Sequence, residues 1–319
     1  MNDKKRVNKI EELVGKTPLY KPEKWLASKG HAGADVYLKL ESANITGSVK
    51  DRAALGMILD MEEQGVLRQG STIIEASSGN MGISLAAIAT SRGYKSIFVL
   101  PESMTEERRK MLSAYGAELV LTPAEGGMKT AIAKSEELAE KIPGAVLARQ
   151  FVNPANPGYH EKTTGPEIWE QTEGAIDVLA VGVGSGGTVT GAGRYLKARN
   201  PELKVLAIEP ETSAVISGEP SGKHGIQGIG AGFVPENLDK DILDGIILVG
   251  TDESKQLSRD LARTEGLFVG VSAGAALAGV LRLLENPDYI GKTIVTVLPD
   301  SGDRYLSTDL VEVNLYEED

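Results

Sequence analysis

Hydrophobic residues in this chain gather in short blocks, separated by longer stretches where apolar and polar positions mix. The blocks at 36–40, 72–75, 96–100, 118–121, 146–148, 178–183, 205–209, 246–249 and 293–298 read as strands. Several are unbroken apolar runs, the pattern of strands covered on both faces. Between them, 81–92, 105–115, 128–141 and 252–264 read as helices. Alternation of strand and helix predicts an α/β protein with parallel sheets. The run Asn153-Pro154-Ala155-Asn156-Pro157-Gly158 has turn chemistry and marks a boundary that divides the chain into near-equal halves.

With 319 residues, the chain is long enough for two domains. Asp and Glu number 45 against 34 Lys and Arg, a formal net charge of −11. That balance argues against a general nucleic-acid binder, though not against a local basic site for an anionic ligand. Cysteine is absent, which excludes disulfides, thiolate metal sites and a cysteine nucleophile. The opening residues 1–9 are polar, and the most apolar stretch, 266–281, carries four glycines. It is shorter than the ~20 residues of a membrane span, so a cytoplasmic protein with no membrane partner is expected. His31, His160 and His224 are far apart and read as structural or surface residues rather than metal ligands. The charged stretch 102–110 reads as a solvated helix face, and the acidic 317–319 as a frayed terminus.

Three loops at strand ends carry candidate chemistry, because ligands of such folds bind at the carboxyl ends of strands. The first, Glu75-Ala76-Ser77-Ser78-Gly79-Asn80-Met81-Gly82, opens a helix with small residues and side-chain donors suited to a carboxylate. An ordinary helix cap has the same composition. The second, Gly182-Val183-Gly184-Ser185-Gly186-Gly187-Thr188, matches GxGxxG spacing, with Glu209 ending the next strand. A dinucleotide site, a phosphate cradle and tight helix–strand packing all fit it. In the third, Gly270-Val271-Ser272-Ala273-Gly274, Ser272 is either an N-cap or a hydroxyl facing a ligand. Lys50 lies in Thr46-Gly47-Ser48-Val49-Lys50-Asp51-Arg52, just ahead of the helical run 53–61, and a helix start is an unfavourable place for a cation. A surface lysine fits it, and so does a Schiff-base lysine whose pKa is lowered by desolvation or positive potential.

Taken together in this order, these segments resemble the cysteine synthases (O-acetylserine sulfhydrylases), pyridoxal-phosphate enzymes of the tryptophan synthase β type. The resemblance runs from Gly15-Lys16-Thr17-Pro18-Leu19 to Ser301-Gly302-Asp303-Arg304-Tyr305-Leu306-Ser307-Thr308, through 101–111, 150–157, 160–169 and 224–235. It implies two three-layer α/β domains with mainly parallel twisted sheets and the cofactor, pyridoxal 5'-phosphate, in the cleft between them. The smaller domain would span 45–150 and be partly mobile. The larger would span 151–319, with 1–44 crossing over to it. Lys50 then matches the Schiff-base lysine and general base, and Asn80 the partner of the cofactor's phenolic oxygen. Gly184, Ser185, Gly186, Gly187 and Thr188 match the phosphate cup, and Ser272 the partner of the pyridine nitrogen. Ser77, Ser78, Gly79, Met81 and Gln150 match the pocket for the substrate carboxylate, and Gly228, within the matching segment 224–235, joins them.

The implied reaction makes L-cysteine from O-acetyl-L-serine and sulfide through an α-aminoacrylate intermediate. The resemblance also implies a homodimer and a cleft able to take the C-terminal tail of serine acetyltransferase. Departures are mild. Ser77 and Met81 replace threonines, and the lost hydroxyl at 81 costs about 0.5–1.5 kcal/mol of substrate binding. The segment Asn44-Ile45-Thr46-Gly47 lacks a proline common there. Ala231-Gly232 stands where cystathionine β-synthases carry Tyr-Asp, which favours cysteine synthase. Cysteine lyase, an O-phosphoserine sulfhydrylase, a purely regulatory acetyltransferase binder and an NAD-dependent oxidoreductase are the alternatives. An O-phosphoserine enzyme would need a further arginine beside the substrate.

Overall fold

The computed structural model describes residues 6–77 and 79–311; Ser78 and the acidic 317–319 end lie outside them. Ten strands appear among the described residues, each continuous apolar block of the sequence supplying one. In chain order they are β1 (Leu19–Tyr20), β2 (Val36–Leu40), β3 (Thr72–Glu75), β4 (Lys95–Pro101) and β5 (Glu118–Thr122). There follow β6 (Ala145–Leu147), β7 (Val178–Gly182), β8 (Lys204–Pro210), β9 (Gly245–Val249) and β10 (Ile294–Leu298). They form two sheets, of order β1-β2-β10-β7-β8-β9 and β5-β4-β3-β6. All pairings are parallel except β1 with β2.

Strand composition follows position. Central β10 lies between β2 and β7 and is buried at every residue, so both of its faces need apolar side chains. Edge strand β9 alternates between covered and exposed positions. Helices α1 (Glu23–Ser28) and α2 (Lys50–Glu63) precede β3, and α3 (Asn80–Ser91) follows it. Then come α4 (Glu106–Ala114), α5 (Gly127–Lys141), α6 (Ala155–Lys162), α7 (Thr164–Gln171) and α8 (Gly187–Arg199). The last are α9 (Thr251–Glu265) and α10 (Val271–Leu284). The four helices read from the sequence appear within a residue or so of their expected ends. Helix α10, apolar almost all round, is buried along most of its length against the large sheet.

Two features differ from the sequence reading. Strand β1 has only two residues, too few for any periodicity to show. The run 153–158 is not a free turn but leads into α6, with Pro157 in its first turn. A first-turn N–H has no intrahelical acceptor, so proline is tolerated there. At Gly56, where a Cβ would come within 2.4 Å of Tyr159, α2 packs closely on α6.

The parallel strands deliver their carboxyl ends to one region. β3 ends at Glu75 and β7 at Gly182, each continuing into a candidate loop, and β10 ends at Leu298. The third loop, 270–274, follows no strand but Val269, whose single bridge to Ser301 brings it to the segment after β10. Val49 N–H donates to Pro299 C=O at 2.8 Å, which brings the start of α2 to the end of β10. A buried ion cluster fixes α2 further along. Arg52, fully buried, contacts Glu41 through Nε at 2.7 Å and Glu167 through Nη1 at 2.7 Å. Buried Lys39 joins Glu167 at 2.8 Å.

Candidate active site

Lys50 is the first residue of α2, and its backbone N–H donates to Ser48 Oγ at 3.2 Å. Its Nζ makes no hydrogen bond among the described residues, and it lies 3.8 Å from where a Cβ on Gly184 would sit. Burial disfavours the charged ammonium and lowers its pKa, against the opposing pull of the Asp300 carboxylate. A lysine in that state is a competent nucleophile and base, unlike a solvated surface lysine.

The Gly184–Thr188 segment, numbered 184–188, curls against the start of α8. Gly186 takes φ +82 as the N-cap, a conformation that favours glycine. A Cβ at Gly184 would stand 2.3 Å from Gly228 C=O, and one at Gly187 would stand 2.0 Å from Asn156 Oδ1. These glycines leave the main chain bare where the first turn of α8 offers N–H groups without intrahelical acceptors. Ser185 Oγ accepts from Asn156 Nδ2 at 2.9 Å, which leaves its own O–H for a ligand. Thr188 Oγ1 lies 3.3 Å from His160 Nε2, and His160 Nδ1 lies 2.8 Å from Thr164 Oγ1. Burial, together with the charges of Arg52 and Lys50, holds the His160 pKa well below its ordinary value, so the imidazole is neutral. The described residues lining this cup include no carboxylate. Bare N–H groups, two hydroxyls and a helix start fit the phosphate of a pyridoxal cofactor.

Ser272 lines the same small cavity and is 2% exposed. It is not an N-cap, because Gly270 holds that position and Ser272 lies inside the first turn of α10. Its Oγ lies 3.5 Å from the Cβ position of Gly228, whose φ is +101. Asn80 begins α3 behind Gly79, which caps the helix without a side chain. Its Nδ2 donates to Asp300 Oδ2 at 2.7 Å, and its Oδ1 accepts from Arg304. One N–H of the amide remains for a ligand.

A neighbouring cavity of about 230 Å³ is lined by Lys50, Ser77, Gly79, Asn80, Met81, Gln150, Gly184, Ser185 and Gly228. Every site residue singled out from the sequence therefore meets in one cleft, save Ser78, which lies outside the described residues. Met81 lines the cavity yet is only 2% exposed and packs into the core around α3. Gln150 is held by its C=O, which accepts from Asn156 and Asn237 at 2.9 and 2.8 Å, and by its amide, which donates to Glu75 Oε1 at 3.3 Å.

Several functional groups were not legible in advance. His160, read as structural or surface, is structural: it is buried and its Nε2 lies against Thr188 of the cup. His224 orders the loop bearing Gly228: its Nδ1 accepts from Ile226 N–H and its Nε2 donates to Gly230 C=O at 2.8 Å. Asn156, Asp300 and Tyr305 support the cup and Asn80 from far along the chain. Arg108, within the stretch read as a solvated face, reaches the cleft and donates to Gln227 Oε1 at 2.9 Å. Glu209 accepts from Ile216 N–H, Ser217 N–H and Ser217 Oγ at 2.9, 3.0 and 2.6 Å. Those contacts within its own turn occupy the carboxylate that a dinucleotide ribose would need.

Comparison with known proteins gives the same outline. The family model described as "Pyridoxal-phosphate dependent enzyme" matches residues 10–300. A cysteine synthase of Staphylococcus aureus is 48% identical over 307 residues, covering 96% of this chain and 97% of that one. The crystal structure of cysteine synthase from Entamoeba histolytica superposes with a TM-score of 0.93 at 37% identity, covering 100% of this chain and 94% of that one. A hydrogen sulfide-producing enzyme of Fusobacterium nucleatum superposes with a TM-score of 0.87 at 35% identity, covering 94% and 100% of the two chains.

Proposed function

The chain belongs to the pyridoxal-phosphate dependent enzymes, and on that footing we propose that it makes L-cysteine by exchanging the acetate of O-acetyl-L-serine for sulfide. Its cofactor is pyridoxal 5'-phosphate. One juxtaposition carries the reading: the Lys50 amine, with its lowered pKa, stands beside the glycine turn that opens α8.

Bound there, the cofactor supplies an aldehyde for a primary amine and a conjugated ring that spreads negative charge building at the substrate α-carbon. The Gly184, Gly186 and Gly187 main chain with the Ser185 and Thr188 hydroxyls would hold its phosphate. Asn80 would donate to the phenolic oxygen and Ser272 would face the ring nitrogen. Ser77, Ser78, Gly79, Met81 and Gln150, with Gly228 opposite, would receive the substrate carboxylate. Lys50 takes the α-proton as general base. Acetate leaves the β-carbon with the electron pair of the C–O bond, hydrosulfide forms the new C–S bond there, and Lys50 gives its proton back to the α-carbon.

Carboxylate binding to the 77–81 loop would draw the smaller half, 45–150, toward the cofactor-bearing half, 151–319 with 1–44, and exclude water. That division is supported by β1 and β2 joining β7 to β10 in one sheet. A homodimer, a cleft open to a serine acetyltransferase tail and a cytoplasmic setting belong to the same proposal and rest on the motif resemblance. No helix among the described residues is long and apolar enough to cross a membrane.

The test is the visible absorption of the purified holoenzyme before and after O-acetyl-L-serine, without sulfide. The expected result is a cofactor band that shifts on adding the amino acid and returns on adding sulfide as cysteine appears. A band indifferent to O-acetyl-L-serine would overturn the substrate assignment. Failure of the protein to acquire any band with supplied cofactor would overturn the site.

A further inference from the structure

We infer that Glu75 is a positioning residue for the substrate carboxylate: in its ionised form it fixes the Gln150 amide so that an N–H points into the cleft. This rests on the reading that Gln150 receives that carboxylate. Glu75 ends β3, is 5% exposed and takes hydrogen bonds from the Arg149 and Gln150 main chain and the Gln150 side chain, in the segment that follows β6. Its Oε2 accepts from Arg149 N–H at 2.9 Å and its Oε1 from Gln150 Nε2 at 3.3 Å. Arg149 has φ +56, a left-handed conformation uncommon for a non-glycine residue, and such conformations persist where the surroundings enforce them. The Gln150 C=O is pinned by Asn156 and Asn237, so the amide is the part of the residue left to turn.

The chemistry of the pair sets which way it turns. An ionised carboxylate only accepts, so the amide must give it an N–H, and the second N–H on the same nitrogen is left for a ligand. A protonated carboxyl can instead donate to the amide oxygen. The flipped amide then presents Oε1 where a substrate carboxylate needs a donor. The ionisable groups around Glu75 are Arg149 beside it, Glu136 on α5 and Glu236 across the adjoining cavity, while β4 sets apolar Phe98 in register with it. Burial pushes the Glu75 carboxyl up to about 7, against the Arg149 and Gln150 hydrogen bonds and the Arg149 charge that favour ionisation. The amide is therefore released as pH falls through neutrality.

The experiment compares kcat and KM for O-acetyl-L-serine in wild type, Glu75→Gln and Gln150→Ala on both sides of about pH 7. Glutamine at 75 can still accept from Arg149 N–H but can also donate to the Gln150 oxygen. The expected result is a KM raised about tenfold at high pH in Glu75→Gln, with kcat changed less than about twofold. Its KM should lack the wild-type rise as pH falls, so the tenfold difference should close below about pH 7, and comparing the two profiles removes the ionisations of substrate and Lys50. An unchanged KM and pH profile in Glu75→Gln, with KM raised in Gln150→Ala, would overturn the inference alone. An unchanged KM in Gln150→Ala would overturn the carboxylate-site reading beneath it. Should Glu75→Gln fail to fold, wild type and Gln150→Ala decide: a KM with the same pH dependence in both overturns the proposal.

Discussion

Replacing Arg52 with methionine tests how the chain holds its lysine-bearing helix. Arg52 is 0% exposed and sits two positions after Lys50 on α2. Its guanidinium binds both oxygens of Glu41, at 2.7 and 2.9 Å, both oxygens of Glu167, each at 2.7 Å, and Thr17 Oγ1 at 3.1 Å. Methionine fills much of the volume but removes the cation. Glu167 keeps Lys39 at 2.8 Å, whereas Glu41, itself 0% exposed, keeps only its hydroxyl and amide partners. Breaking a buried ion pair from one side costs about 3–5 kcal/mol. At this chain length such a loss lowers Tm by roughly 6 °C. The cost should also depend on pH. Burial raises the Glu167 pKa, but the hydrogen bonds and charges of Arg52 and Lys39 outweigh it and hold the carboxyl at about 2, below its ordinary 4.5. Stability from this lowered pKa is present above the unfolded value and lost as pH falls through the folded one. The deficit of Arg52→Met should therefore be full at neutral pH and shrink as pH falls from 4.5 toward about 2. Thermal and urea unfolding of the holoenzyme measure both. A loss under about 1 kcal/mol, or one that does not change with pH, would refute the reasoning.

Gly184→Ala places a Cβ 2.3 Å from the Gly228 carbonyl, with backbone rather than a flexible side chain in the way. Cofactor affinity should fall at least about a hundredfold by equilibrium titration of absorbance, the equivalent of about 2.7 kcal/mol. Asn156→Ala removes the donor to Ser185 Oγ and to the Gln150 C=O. The Gln150 C=O keeps Asn237, so Ser185 Oγ is the acceptor left unmet, at a cost of about 1–3 kcal/mol, which should appear as weaker cofactor binding. Asp300→Asn removes the charge that opposes deprotonation of Lys50. In the cofactor-free protein the Lys50 amine should then titrate at lower pH, read from the pH dependence of its reductive methylation, and a move to higher pH would contradict the sign.

Much of the fold could be read from the chain because the strands of a doubly covered sheet must be apolar at successive positions. β3, β7 and β10 announced themselves for that reason, and β1 did not, having two residues and one partner. The loops after β3 and β7 were legible since glycine, serine and asparagine at a strand end leave few purposes other than a cap or a ligand. The choice between those purposes was not local. Ser272 and Asn80 each sit at a helix start, yet the caps are Gly270 and Gly79. Supporting residues stayed hidden because their partners are remote: Asn80 and Asp300 lie 220 positions apart and Glu75 and Gln150 lie 75 apart. α6 was misread as a turn because Pro and Gly were weighed by composition, while the first turn of a helix accepts both.

The central claim is that Lys50 is the residue that bonds the cofactor. Borohydride reduction of the holoenzyme, proteolysis and mass spectrometry test it directly. The account predicts the mass of a reduced pyridoxyl phosphate on the peptide carrying Lys50, and its absence from that peptide's counterpart in Lys50→Ala. Stoichiometric label on another lysine, with Lys50 unmodified, would contradict it.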